Sequence, residues 1–132
     1  MKKIMAVSVM ILSLIISFQS SAAADLFDFV GTWSGEYCTM NSGEGLYCGR
    51  SAEILIAEQK DNLVRGYIKI GGKEYPLSGI ISSGNRIDYT DALGTIGVLG
   101  LTEEKNMQMK ALNRCLAGRE QCAHSGIFKR KK

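Results

Sequence analysis

The chain predicts an all-β fold, an eight-stranded antiparallel up-and-down barrel, and three observations carry that expectation. Beyond residue 29, apolar and polar residues alternate with a period of two in eight separate stretches, the pattern of half-buried strands. Turn chemistry such as Gly71-Gly72 and Ser83-Gly84-Asn85 separates most of them. After the first 24 residues no stretch sustains a helical period. Sequential strands joined by tight turns form a meander, and eight of them can close on themselves, which removes both sheet edges.

The first strand spans Val30 to Cys38, with Trp33, Gly35 and Tyr37 on one face and Thr32, Ser34 and Glu36 on the other. Thr39 to Arg50 is rich in Gly, Asn and Ser and reads as a long loop. Ala52 to Gln59 is an apolar strand flanked by charge, and Lys60-Asp61-Asn62 is a turn. In Leu63 to Ile70, Val64, Gly66, Ile68 and Ile70 alternate with Arg65 and Lys69. Glu74 to Ser82 carries Tyr75, Leu77 and Ile81 on one face; Pro76 cannot donate to a ladder, so it marks a bulge or an edge-like position. Arg86 to Thr90, Thr95 to Thr102, Asn106 to Leu112 (Met107, Met109 and Ala111 on one face) and Ala123 to Arg130 complete the set.

Residues 1–24 read as a cleaved signal peptide. Lys2 and Lys3 form a charged start, Ile4 to Ile16 an apolar core, and Ala22-Ala23-Ala24 a small-residue cleavage site. An apolar run of roughly 13 residues is short of the ~20 that span a bilayer, so no transmembrane segment is expected after cleavage. A Lys-Lys start before a compact apolar run is bacterial in style, which predicts the periplasm or the medium. Cleavage leaves 108 of the 132 residues as a single domain, 25–132. The formal charge of +3 falls to +1 without Lys2 and Lys3. The remaining basic run, Lys129 to Lys132, reads as a solvated tail, so a nucleic-acid partner is not expected.

Cys38, Cys48, Cys115 and Cys122 are an even set in an exported domain, which predicts disulfides. Spacings of ten and seven do not match the close pairs of a zinc site, and no metal is expected. Two pairings compete. Cys38–Cys122 with Cys48–Cys115 would staple the seam between first and last strands, whereas Cys38–Cys48 with Cys115–Cys122 would tie off two loops. Short closures form more readily, which favours the local pairing.

The Gly31-Thr32-Trp33 triplet opening the first strand, with a last strand ending Gly126-Ile127-Phe128-Lys129-Arg130, resembles the calycin group of lipocalins, avidins and related small barrels. The resemblance implies structural roles for Gly31 and Trp33: the ring seals the closed end, covered by a basic side chain near the C-terminus, Lys129 or Arg130. It also implies a noncatalytic binding protein. Avidin-like biotin binding is not expected, because that family surrounds its ligand with several tryptophans and Trp33 stands alone here.

Alternation of strand direction gathers the longest connections and all four cysteines at one mouth, the place where binding resides on a rigid scaffold. Tyr37, Tyr67, Tyr89, Met107 and Met109 are the candidate ligand-binding residues, with Tyr75 and Phe128 beside them in an apolar interior. An eight-stranded barrel is only just wide enough for side chains to fill it, so an ordinary packed core with at most a small cavity is the stronger expectation. His124 is the sole histidine and lacks a visible nucleophile and carboxylate in sequence, so neither enzymatic activity nor a cofactor is expected. The expected partner is a small apolar ligand. The alternative is a secreted or periplasmic protein, with the chain as an inhibitor of a protease or lysozyme acting through Thr39–Gly49 or through an N-terminal arm, Asp25 to Phe29. The sequence does not set an oligomeric state.

Overall fold

A computed structural model describes residues 26–114 and 121–132. Eight strands follow in chain order: β1 (Gly31–Asn41), β2 (Gly45–Lys60), β3 (Leu63–Ile70), β4 (Lys73–Ser83), β5 (Arg86–Asp91), β6 (Ile96–Leu101), β7 (Met107–Arg114) and β8 (Gln121–Arg130). Each pairs antiparallel with its successor, and β8 returns to β1 from Trp33↔Arg130 to Asn41↔Cys122, so the sheet is a closed barrel. Among the described residues there is no helix. The expected leader and Cys115 lie outside the described residues.

Alternation sets the interior. Trp33 and Tyr37 of β1, Ile54 and Ile56 of β2, Ile68 of β3, Leu77 and Ile81 of β4, Ile87 and Tyr89 of β5, Leu99 of β6, Met107 and Met109 of β7 and Phe128 of β8 are all buried. Pro76 sits opposite Tyr67 with no bulge; the β4–β5 ladder begins one residue on, at Leu77↔Asp91, so Pro76 occupies the open end of that ladder.

Two expectations are corrected and a third is sharpened. The predicted loop from Thr39 to Arg50 is a hairpin, with Thr39↔Tyr47, Met40↔Leu46 and Asn41↔Gly45 in register around a turn at Ser42 to Glu44. Asn41 Oδ1 accepts the Gly43 N–H at 2.8 Å, a side-chain turn that lets polar residues extend the ladder. The segment before β1 is no projecting arm: Phe29 is fully buried, and Phe27 packs on the core. The basic run is exposed throughout, as expected of a solvated tail, but it is anchored at two points. Arg130 ends β8 against Trp33, and Lys131 pairs with Glu53.

A disulfide joins Cys38 to Cys48 within the hairpin. The seam-stapling alternative fails because Cys38 lies opposite outward-facing Ser125, whereas Cys122 is buried opposite Asn41. Side chains on opposite faces of a sheet cannot bridge without moving the backbone. Cys122 is itself disulfide-bonded.

One end of the barrel is sealed. Residues Phe27 to Val30 strap across the base, where Gln59 accepts the Phe29 N–H and donates to Phe27 O, each at 3.0 Å. Trp33 Nε1–H donates to Phe29 O at 3.1 Å. The Arg130 guanidinium lies 4.8 Å from the Trp33 ring and 5.5 Å from Phe27, and donates to Val30 O at 2.9 Å. Gly31 makes room for it: its φ is +141°, and a β-carbon there would stand 3.4 Å from Arg130 Nε. The Gly-x-Trp motif is thus one half of a lock whose other half is Arg130, not Lys129.

Candidate functional site

Opposite the strap, the barrel opens into a cavity of about 390 Å³. Its floor and one side are apolar, from Ile68, Ile70, Met109, Ala111 and Phe128. Its polar groups lie nearer the rim on the same and adjacent strands: Asn113 follows Ala111 on β7, and His124 of β8 stands directly opposite Ala111. The interior therefore holds more open space than the ordinary packed core, with at most a small cavity, that barrel size favoured. Gly79 and Gly97 stand directly across from Tyr89, and Gly126 across from Tyr37 and Met109. Glycine on those inward positions gives each large ring a place along the wall instead of across the lumen. At Gly97 a β-carbon would meet Tyr89 Cε1 at 2.5 Å.

Of the sequence-predicted residues, Tyr37, Tyr89 and Met109 line the cavity. Tyr67 does not: it is 41% exposed on the outer face, since its neighbours Gly66 and Ile68 are the inward pair. Met107 points inward yet lies at the sealed base opposite Phe128, below the cavity and fully buried.

The polar rim was missed as a site. Thr39 Oγ1 lies 2.9 Å from His124 Nδ1, and His124 Nε2 lies 2.9 Å from Asn113 Oδ1. Asn113 Nδ2 donates to Thr95 Oγ1 at 3.2 Å, which turns its carbonyl oxygen toward the imidazole. The network therefore assigns the proton to Nε2, with Nδ1 accepting the Thr39 hydroxyl. Thr39 and Thr95 are buried polar residues, each satisfied by this chain. Burial, then the nearby Arg50 charge, lowers the His124 pKa below the usual imidazole value, and Asp91 opposes the shift. Asp91 Oδ1 accepts the Leu93 and Thr95 N–H groups at 2.8 and 3.1 Å, which fixes the β5–β6 turn at the rim. The signal that could have found this rim was parity: counting back by twos from Phe128 brings His124 and Cys122 inside.

Thr39, His124 and Asn113 have the outline of a hydroxyl–imidazole–amide triad, with an amide where a carboxylate would orient the imidazole. An amide in the orienting position cannot stabilise an imidazolium as a carboxylate does. Burial and Arg50 further weaken the imidazole as a base. The arrangement links Thr39, His124, Asn113 and Thr95 in one hydrogen-bonded chain.

On the outside, Ile96↔Leu112, Leu112↔Ala123, Met40↔Ala123 and Met40↔Leu46 are directly paired, so one apolar row crosses β6, β7, β8, β1 and β2 near the mouth. Ile96 is 74% exposed and Leu112 64%.

Fold and cavity together define a small closed β-barrel, blind at one end and open at the other, an architecture compatible with the calycin fold. No protein-family model matches the chain, and comparison with curated proteins finds no match.

Proposed function

We propose that this is an exported, noncatalytic binding protein of calycin type that takes one small amphipathic molecule in the mouth cavity. The apolar ligand expected from sequence gives way to an amphipathic one because the lumen is apolar toward its floor and polar toward its rim. An apolar body fits against Ile68, Met109 and Phe128, and a polar group faces Tyr89, Asn113 and His124. The carrying observation is the cavity itself, about 390 Å³, within the range of small-molecule pockets. Export is supported by the leader-like first 24 residues and the Cys38–Cys48 disulfide, which suits an oxidising compartment. Among the described residues no helix is long and apolar enough to cross a membrane. A noncatalytic role is supported by the amide of Asn113, rather than a carboxylate, beside His124 and by the lowered imidazole pKa. The test is solvent extraction of the purified protein followed by mass spectrometry. A stoichiometric small molecule, displaced when Met109 is replaced by Trp, is expected; an empty protein that takes up no apolar probe would refute the reading.

One observation favours a second reading, a protein-binding module such as an inhibitor of a protease or lysozyme. Met40, Leu46 and Tyr47 are exposed on the disulfide-tied hairpin. Inhibition of a secreted protease or lysozyme that disappears in a Met40→Ser, Leu46→Ser variant is its expected outcome. Absence of inhibition by the intact protein removes it.

A further inference from the structure

Among the described residues, the Tyr89 hydroxyl is the one buried side-chain oxygen of the cavity lining without a hydrogen-bond partner. Tyr89 is 4% exposed and lines the cavity. Its oxygen is buried and has no hydrogen-bond partner among the described residues, although Thr39, Thr95, Asn113 and His124 on the same lumen are all bonded to one another. Leaving a buried polar group unpaired is costly, and phenylalanine would fill the same slot between Gly79 and Gly97 without that cost. A hydroxyl retained in such a place, unanswered by any described residue, is a group through which a guest in the cavity can be recognised.

We propose that the cavity selects molecules bearing an uncharged carbonyl oxygen, which accepts a hydrogen bond from the Tyr89 hydroxyl. This rests on the binding-cavity reading and adds the ligand's chemical class: an apolar ketone, ester or amide. Burial, with Asp91 second, holds the phenol protonated well above its usual range, so it is a donor throughout the physiological pH interval. Its unanswered O–H hydrogen calls for an acceptor. A carboxylate acceptor is disfavoured because two acidic side chains, Asp91 and Glu44, line the same lumen against one basic side chain, Arg50. His124 cannot take the acceptor's place, since both of its ring nitrogens are engaged.

The experiment uses the oxidised protein and a matched pair of probes, benzophenone and diphenylmethane, which share their two rings and differ in C=O against CH₂. Titration calorimetry is expected to give roughly tenfold tighter binding of benzophenone, the worth of one hydrogen bond to a group otherwise unpaired. The infrared carbonyl band of bound ¹³C=O-benzophenone is expected at lower wavenumber than in hexane. Tyr89→Phe should bring benzophenone affinity to that of diphenylmethane and return the band to its hexane position. Its thermal midpoint should stay at or above the parent's, which separates ligand recognition from a structural role. Equal affinities in the parent, an unshifted band, or discrimination that survives Tyr89→Phe would each overturn the inference while leaving the cavity reading standing. If neither probe binds, both fall together.

Discussion

Arg130 does more than neutralise a surface. It is bound from one side by the Trp33 and Phe27 rings and from the other by backbone carbonyl groups of the strap. A guanidinium meets this demand through its plane and its fork of donors, whereas an ammonium offers only a point charge. Arg130→Ala is expected to lower stability by about 1–2 kcal/mol, and Arg130→Lys to recover less than half of that, measured by urea unfolding. His124 makes a second prediction. Its folded-state pKa is depressed, so the unfolded chain takes up the proton first as pH falls. Stability is therefore complete above the unfolded value near pH 6.5 and declines as pH drops through it toward the folded pKa. With one histidine in the chain, NMR titration reads a single imidazole, expected to titrate below 6.5 with its proton on Nε2. His124→Gln should flatten the decline between pH 7 and 5.

At the scale of elements, the β1–β2 hairpin is where sequence reading and structure part most clearly. Gly, Asn and Ser between Thr39 and Arg50 were punctuation enough to suggest a loop, yet Met40, Leu46 and Tyr47 keep the alternation of a ladder. The irregularity is confined to a bulge between Tyr37 and Thr39, beside the cross-link. A bridge closing ten residues is worth about 3 kcal/mol in the chain-entropy picture. Replacing Cys38 and Cys48 together with serine is expected to cost 2–3 kcal/mol in chemical denaturation, with hydrogen-exchange protection lost first from Met40 to Tyr47. The remaining strands were legible because a period of two is a strong constraint. The same constraint already argued against Tyr67 as a lumen residue, since Gly66 and Ile68 flank it. Where along the axis an inward residue lies cannot be read from alternation; only register does that, and it separates Met107 at the base from Met109 at the cavity. The polar rim was illegible for a related reason, since Thr39, Thr95, Asn113 and His124 come from four separate stretches of chain.

For the whole molecule, closure and one-sided sealing matter more than any single contact. Eight strands of this size can be filled solid, and the base is: Trp33, Phe29, Phe128, Met107 and Leu99 are essentially inaccessible to water. The mouth differs because glycines face its rings. The strap belongs to this plug, so Phe29→Ala is expected to cost about 3–5 kcal/mol and to shift Trp33 fluorescence to longer wavelength, an effect confined to the base if the cavity is an independent site. Ligand affinity measured on the folded fraction should then be unchanged.

Because the seam joins β1 to β8, the described polypeptide both enters and leaves the cylinder on its plugged side, with Lys131 N–H donating to Thr32 O at 2.8 Å. Whatever hangs from either terminus, a surface tether, a reporter or a carrier, trails behind the blind floor and leaves the aperture facing outward. Immobilising the molecule by its tail on a sensor chip should therefore preserve the uptake seen in free solution.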